Sequence, residues 1–447
     1  MREILALLQN IASIVSPTVL QQMSHVIYGV LISNGRITML EISRWTERGG
    51  SYRTIQRWYQ SKLLWLQIMW ILFTSQLWKA GHEYIAAGDE VVFGKVGKET
   101  FGLGHFFSSL QQRVIPGLSF FALSLIDVEE RQSYPLQVVQ MVKPVGEKTK
   151  NEKAKPAKSL AGKRPVGRPK GSKNKKHEKP TLSPELLQIQ PVLQAFLAVL
   201  AGVLPISYLV MDGHFGNYPS AWMVRQSGLH FVSKLRWDAA LYEPFTGKYR
   251  GRGPHPKYGD KVDVRHMEKK YLKSDTVEDG LRTQIYQATL LNKEFAFSIN
   301  VLVILRTNLS TKAQAHIILF STDLKLSHEK IVDFYTLRFQ IEFNFRDAKQ
   351  YWGLDDFMNV KEVAVTNAAY LSFFMVNFSF ILLQRFRENN PAFSILDLKS
   401  HYRGCRYVSE TIKLLPQKPD AILLADIFEQ IARLGMVHPV FEPVSTA

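Results

Sequence analysis

The sequence contains very little cysteine, since Cys405 is the only one in 447 residues. A single cysteine excludes a disulfide framework and any zinc site built on cysteine pairs, and it fits a reducing, cytoplasmic compartment. Acidic residues are also few, with 39 Asp and Glu against 56 Lys and Arg. The resulting net charge of +17 points to a polyanionic partner, because a basic protein gains affinity for nucleic acid by releasing counterions.

Hydrophobic residues make up 46% of the chain, which excludes wholesale disorder. Several apolar runs are long, so we test each as a possible membrane span. Residues 193–211 are almost entirely apolar, but Pro205 interrupts them, so we expect a buried helix followed by a buried strand. The apolar run 370–383 is shorter than a span and contains Asn377. We therefore expect no membrane anchor, and the N-terminus shows no signal-peptide pattern.

The positive charge is concentrated in one segment. Residues 143–179 carry 14 Lys or Arg and three Glu, which gives this stretch +11 and leaves +6 for the rest of the chain. Pro, Gly and Ser are frequent there, and large apolar side chains are nearly absent. This composition is typical of a solvated linker, which we place at residues 143–183.

Within this linker, Arg164, Arg168 and Lys170 surround a Gly-Arg-Pro core that resembles an AT-hook. In an AT-hook, an extended Arg-Pro segment enters the narrow minor groove of A·T-rich DNA. The strict pattern has arginine before the glycine, where this sequence has Val166. The alternative is a basic linker that contacts phosphates without sequence preference.

Residues 1–80 are predicted to be helical, because apolar side chains recur at helical spacing. Two short helices are expected on either side of a Gly-Gly-Ser turn at residues 49–51, with Arg53 and Arg57 on one face of the second. A helix-turn-helix DNA reader has this form, and so do many helical hairpins with a basic, solvated face. DNA-end binding is our hypothesis for this region.

Strand patterns follow. Three antiparallel strands are predicted over 84–142, then a helix over 183–204, a strand ending at Asp212 and mostly strands over 215–325. Asp89 and Asp212 each follow an apolar strand pattern. A carboxylate in that position is costly unless it is paired or binds a cation, although a single example is more often a turn or cap residue.

A continuous helix is predicted from Ser327 to Gln350. Successive residues of a helix are rotated by roughly 100° about its axis. On this basis, a stripe about 60° wide on one face of the predicted helix would carry a phenol, a carboxylate and two cations. Its members are Tyr335, Arg338, Glu342 and Lys349. The simplest interpretation is a solvated face with an Arg338–Glu342 ion pair four residues apart. The phenylalanines around the stripe favour instead a buried helix that directs these groups into a site.

The spacing Tyr335-x2-Arg338-x3-Glu342-x6-Lys349, preceded by Asp89 and Asp212, resembles the signature of the insertion sequence four family of DDE transposases. The resemblance implies an α/β fold: an RNase H-like catalytic core interrupted by a mostly β insertion, flanked by N- and C-terminal helical regions. The 130 residues between the second aspartate and the glutamate would hold that insertion.

The resemblance also implies a chemistry. Phosphodiester transfer uses two divalent ions about 4 Å apart, and hard oxygen ligands suit Mg²⁺ or Mn²⁺. Asp89, Asp212 and Glu342 would be the catalytic and metal-binding residues. Candidates for DNA contacts on the glutamate helix are Tyr335, Arg338, Arg346 and Lys349. Asp347, the nearby rival acid, would point to the opposite side of that helix.

The function that we expect is a DNA transposase that excises an insertion sequence and joins it to target DNA. The family implies a homodimer on DNA, and a contact through the apolar helix 368–383 is one hypothesis for it, ordinary core packing being the other. Two alternatives are an RNase H-like nuclease that cuts without joining, and a domesticated, non-catalytic DNA-binding protein. The expected location is the cytoplasm, in association with the nucleoid.

The sequence is divided as follows: 1–80, helical DNA-end-binding domain; 81–142, first part of the core; 143–183, basic linker; 184–214, second part of the core; 215–325, β insertion; 326–390, glutamate helix and end of the core; 391–447, C-terminal region.

Overall fold

The computed structural model describes residues 2–46, 50–108, 111–143, 179–249, 251 and 254–438. The basic segment with Arg164, Arg168 and Lys170 lies outside the described residues. The chain forms two compact units. The first comprises Met1–Gln140, Val192–Ile206 and Leu337–Ala447, and the second comprises Met141–Pro191 and Ser207–Thr336.

The helices are α1 (Arg2–Leu8), α2 (Pro17–Ile32), α3 (Met39–Thr46), α4 (Tyr52–Tyr59), α5 (Trp65–Gln76), α6 (Pro184–Leu200), α7 (Tyr218–Gln226), α8 (His328–Leu337), α9 (Gln340–Gln350), α10 (Glu362–Arg387), α11 (Ile395–Leu414) and α12 (Ala421–Ala432). The strands are β1 (Tyr84–Gly94), β2 (Gly104–Ser108), β3 (Arg113–Asp127), β4 (Gln132–Gln140), β5 (Tyr208–Met211), β6 (His230–Lys234), β7 (Leu241–Pro244), β8 (Tyr258–Lys261), β9 (Leu272–Glu278), β10 (Leu281–Asn292), β11 (Ile299–Asn308) and β12 (Gln314–Ser321).

The N-terminal part of the first unit is helical, as its apolar spacing predicts. The hydroxyl of Ser51 accepts a hydrogen bond from the backbone N–H of Thr54, so Ser51 is the N-cap of α4. The side chains of Ile55 and Trp58 are buried on one face of this helix. Arg53 and Arg57 are exposed. The helix therefore presents two cations to solvent on the side away from its core contacts.

The sheet of the first unit has four strands, where the sequence patterns predict three. β3 pairs antiparallel with β1 along its length, and β2 and β4 pair with β3 on its other edge. The fourth strand, β2, escapes prediction because it lies in a glycine-containing stretch. The β3–β4 register shifts between Leu123 and Ser124, where the opposing strand carries Pro135, which has no N–H to donate.

α10 is the central helix of the first unit. It packs against β4 and α9, and most of its residues are buried. Its 26 residues are long and apolar enough to cross a membrane, but 89% of its most apolar window is buried inside the protein. The suggested dimer contact through residues 368–383 is therefore wrong, because these side chains belong to the core of one chain.

The second unit is built on a larger sheet. Its strand order is β5-β6-β12-β11-β10-β7-β8, and β9 pairs with β10. β5 and β6 run parallel and are connected through α7, whereas the other strand pairs of this order are antiparallel. The predicted strand ending at Asp212 corresponds to β5. Strands β6 to β12 are the main regular elements of the region 215–325, as predicted, and α7 is its one α-helix among the described residues.

The prediction of one continuous helix from Ser327 to Gln350 is wrong. α8 ends at Leu337 and α9 begins at Gln340. Between them, the N–H groups of Ile341 and Glu342 donate to carbonyls three residues back, at Arg338 and Phe339, rather than four. This tighter turn changes the angular spacing, so the stripe drawn at a constant 100° does not extend across the break.

Lys399 is a buried lysine of the first unit, and the residue as a whole is 8% exposed. Its Nζ donates to the carbonyl oxygens of Val30 and Tyr351, at 2.9 and 3.4 Å. Burial, with a smaller contribution from Arg403, lowers the pKa of Lys399 to about 7, and Asp356 opposes this shift. Because the pKa of Lys399 is lower in the folded chain, this residue binds more proton in the unfolded chain between pH 7 and 10.5, and its contribution to stability rises with pH there.

We predict that Lys399→Met removes this rise. The unfolding free energy of the wild type minus that of the variant should grow from pH 7 to pH 9, by up to about 1.4 kcal/mol per pH unit. Urea denaturation at a series of pH values measures it. Lys413→Met is the control, because Lys413 is exposed on the same helix and pairs with Glu410. A constant difference for Lys399→Met would contradict the prediction.

Candidate active site

Asp89 lies in the middle of β1, opposite Ala122 of β3. Its side chain is 15% exposed, and its Oδ1 accepts a hydrogen bond of 2.8 Å from the backbone N–H of Glu90. Glu90 accepts a hydrogen bond from the hydroxyl of Ser119 on β3. The strand thus holds a nearly buried carboxylate, which requires a positive partner.

Arg338 supplies that partner. Its Nη1 donates to Oδ2 of Asp89 at 2.7 Å, and its Nη2 donates to Oε1 of Glu342 at 3.2 Å. The side chain of Arg338 is 12% exposed and that of Glu342 is 43% exposed, so the site opens to solvent on the glutamate side. Two carboxylates that are 253 positions apart in the sequence therefore share one cation.

Glu342 stands in the first turn of α9, where the helix dipole favours a negative charge. Two side chains fasten this helix to the sheet. Nζ of Lys349 donates to the carbonyl oxygen of Val92 on β1 at 3.3 Å, and Nδ2 of Asn344 donates to Oγ of Ser133 on β4 at 2.7 Å. Burial lowers the pKa of Lys349. These contacts fix the position from which Glu342 projects.

The other predicted DNA contacts on this segment have different surroundings. Arg346 is exposed and pairs with its neighbour Asp347 at 2.8 Å. Burial raises the pKa of Asp347, and Arg346 opposes that rise. Tyr335 lies on α8 in the second unit and is half-buried. The structure brings together Asp89, Arg338 and Glu342; a role in gripping phosphates stays a prediction for all four candidates.

Asp212 follows β5 directly and belongs to the second unit. Its Oδ1 accepts from the backbone N–H of His214 at 3.0 Å, and its carbonyl oxygen accepts from the hydroxyl of Ser233 at 2.7 Å. Nε2 of His214 faces Oε2 of Glu185 at 3.2 Å. At Gly216, a Cβ would overlap the carbonyl of Lys234, so this loop requires glycine there. The catalytic triad that includes Asp212 stays a prediction.

Sequence reasoning missed one cluster of potential metal ligands, formed by His82, Asp127 and Glu129. Nδ1 of His82 lies 2.8 Å from Oδ2 of Asp127, which is fully buried. Glu129 accepts two hydrogen bonds from the backbone N–H of Glu83. The β1–β3 register, which pairs Tyr84 with Asp127, would be needed to find it. These bonds account for the cluster without an ion.

The carboxylates around Arg338 have the donor chemistry that a divalent ion needs. The carboxylate groups of Asp89 and Glu342 offer hard oxygens, the class of donor that Mg²⁺ and Mn²⁺ prefer. They already converge on a single positive charge. These residues fit a divalent cation, and Arg338 holds their two negative charges together by hydrogen bonding.

Asp89 and Glu342 thus meet on one guanidinium within a mixed α/β architecture, in a chain of net charge +17. The sequence profile of the family described as DDE superfamily endonuclease matches residues 14–293, more than half of the chain. The chain belongs to this family, whose members use divalent metals and act on DNA. The match includes Asp89 and Asp212 and ends before α8 and α9. A search of curated proteins found no match.

We predict that Arg338→Gln destabilises the protein by about 2 kcal/mol, because it leaves two nearby carboxylates without their shared cation. Added Mn²⁺ should restore most of this loss, since a divalent ion supplies the missing charge. Thermal unfolding with and without MnCl2 measures both effects. The control is Arg282→Gln, which breaks an exposed ion pair with Asp275. If Mn²⁺ shifts the two variants equally, the carboxylates do not form a cation site.

Proposed function

We propose that this protein is a DNA transposase that excises an insertion sequence and transfers its strands to target DNA. The chemistry is phosphodiester hydrolysis followed by transesterification, in which a 3′-hydroxyl attacks the target. The observation that supports the proposal best is the sharing of Arg338 by Asp89 and Glu342. These are the first and last acids of the expected order, and they meet on elements distant in sequence.

In this proposal Asp89, Asp212 and Glu342 are the catalytic residues and hold two ions of Mg²⁺ or Mn²⁺. When bound, such ions activate the attacking oxygen and stabilise the charge on the leaving oxygen. Arg338 holds the carboxylates of Asp89 and Glu342 close together before metal ions bind. As an arginine, it also offers a planar fork that matches a phosphate.

DNA binding extends beyond the carboxylates in this proposal. Arg53 and Arg57 on α4 contact the transposon end, and the AT-hook-like Arg164, Arg168 and Lys170 contact DNA through the linker. Tyr335, Arg338, Arg346 and Lys349 contact DNA near the cleavage site. Two copies of the chain bring two ends together, and the protein works in the cytoplasm on the nucleoid. Two alternatives remain, a nuclease that does not join and a DNA-binding protein without activity.

We predict that Glu342→Gln abolishes chemistry but not DNA binding. The substrate is DNA carrying the inverted repeats that flank the gene, incubated with Mg²⁺ or Mn²⁺ and a target plasmid. Cleavage and joining should fall by more than about 100-fold, because a metal-binding oxygen is lost. Asp89→Asn and Asp212→Asn should behave alike. Glu362→Gln is the matched control, because Glu362 is an exposed acid at the start of α10.

Each outcome of this assay selects one function. Joined product from the wild type and the control alone supports the transposase. Cleavage without joining supports the nuclease, and binding without cleavage by any version supports the non-catalytic DNA-binding protein. Full activity of Glu342→Gln would mean that another acid completes the site.

We further predict that α4 contributes to affinity for the DNA end. Arg53→Gln combined with Arg57→Gln should weaken binding and reduce the slope of log K against log salt by about 1 to 2, one for each lost phosphate contact. Fluorescence anisotropy at several salt concentrations measures the slope. Arg433→Gln serves as control, because Arg433 pairs with Glu429 on α12. An unchanged slope in the double variant would remove α4 from the DNA interface.

A further inference from the structure

Helix α4 presents a polar face that has no role in the packing of its own unit. Its exposed side chains are Tyr52, Arg53, Gln56 and Arg57, and Gln60 is exposed at its C-cap. At roughly 100° per residue, all five lie within about 140° of the helix circumference. Among the described residues, the side chains of the two arginines and the two glutamines make no hydrogen bond or ion pair. Their donors and acceptors are therefore available to a partner.

The opposite face of α4 is fixed to the body of the first unit. Ile55 and Trp58 are fully buried, and Tyr59 is 4% exposed. The carbonyl oxygen of Tyr59 accepts a hydrogen bond of 2.8 Å from Nδ2 of Asn367 on α10. α3 and α4 pack against each other and against α2. In a helix-turn-helix, the second helix of such a pair is the one that enters the major groove of DNA.

The exposed face of α4 divides into two columns. Gln56 and Gln60 are four residues apart and form a column of amides. Arg53 and Arg57 form a column of guanidinium groups, about 60° further around the helix. From residue 52 to residue 60 the helix rises about 12 Å, which is about the width of the major groove. Residues 50–62 contain no acid, so no charge in this segment repels phosphate.

The amides distinguish this face from one that is merely basic. A surface that used only electrostatic attraction to phosphate would gain from lysine or arginine at positions 56 and 60, because a neutral amide releases no counterion. A glutamine amide places a donor beside an acceptor. That pair matches N7 and the exocyclic amine of adenine, which lie side by side in the major groove. The two columns therefore suit different parts of a DNA duplex.

We propose that α4 recognises DNA sequence in the major groove, with Gln56 and Gln60 bound to adenine edges and Arg53 and Arg57 bound to the neighbouring phosphates. This inference rests on the proposed function, because it names the contacts by which the transposon end would be distinguished from other DNA. The terminal sequence then has A·T pairs at the positions that the two amides contact.

The first test is a selection of binding sites from a library of random DNA duplexes, using the full chain. EDTA in the buffer prevents metal-dependent cleavage, so the result reports binding alone. The wild type should select a motif with strongly preferred A·T pairs. Gln56→Ala and Gln60→Ala should each lose the preference at one of these pairs and keep the rest of the motif. Gln67→Ala is the matched control, because Gln67 is an exposed glutamine on α5, and it should select the wild-type motif.

The second test alters the DNA in place of the protein. 7-Deazaadenine still pairs with thymine but lacks the N7 acceptor. At the adenine whose preference Gln56→Ala loses, this base should weaken wild-type binding by at least about fivefold, the size expected for a lost amide–adenine contact. It should not weaken Gln56→Ala further. A variant that only distorted the helix would stay sensitive to the analogue, and circular dichroism confirms that each variant folds.

Several results would overturn the proposal. Tight DNA binding by the wild type without any selected motif would limit α4 to phosphate contacts, and the cleavage and joining assay would still decide the proposed function independently. An unchanged motif in both glutamine variants would assign sequence recognition to another part of the chain. Insensitivity of the wild type to 7-deazaadenine would refute the amide contact to N7. Absence of DNA binding would contradict both this inference and the DNA interface of the proposed function.

Discussion

One guanidinium connects the sheet of the first unit to the helix that carries the last acid. Arg338 is 12% exposed and bonds to carboxylates on β1 and α9. Without Arg338, the negative carboxylates of Asp89 and Glu342 would lie near each other in a partly buried environment. Their electrostatic repulsion there is stronger than in water. The helix break at residues 338–339 sets where this side chain starts, so the backbone departure and the ion pair belong together.

Hydrogen bonds, as well as the ion pair with Arg338, hold the helix that carries Glu342 in place. Lys349 anchors the far end of α9 to β1, and Asn344 anchors its middle to β4. Both side chains bond to groups on regular strands, which move less than loops. The helix that carries Glu342 is therefore fixed to the sheet at two points.

Local patterns were sufficient for part of this molecule. Apolar spacing predicted the helices before residue 80 and the strand before Asp212. The ion pair between Arg338 and Glu342 follows from their four-residue spacing, and it was the simpler of the two interpretations of that stripe. The bond from Arg338 to Asp89 spans 249 positions and depends on the fold, so spacing alone could not give it.

The misses have physical causes too. The helix break follows from hydrogen bonds to carbonyls three residues back, for which the sequence carries no proline or glycine signal. β2 pairs through its backbone although its composition is that of a loop. The His82–Asp127 pair arises from strand register. Such features need three-dimensional information.

The composition of α10 bears on the life of the chain before it folds. Before the chain folds, this segment of 26 mostly apolar residues is long enough to span a bilayer. A bilayer, or a factor that binds hydrophobic segments, could therefore bind it. Asn367 and Asn377 work against that fate. In the folded chain they donate to the carbonyls of Tyr59, Ser61 and Pro135, and in hydrocarbon they would have no such partners. The two amides thus favour the protein interior over the membrane for this helix.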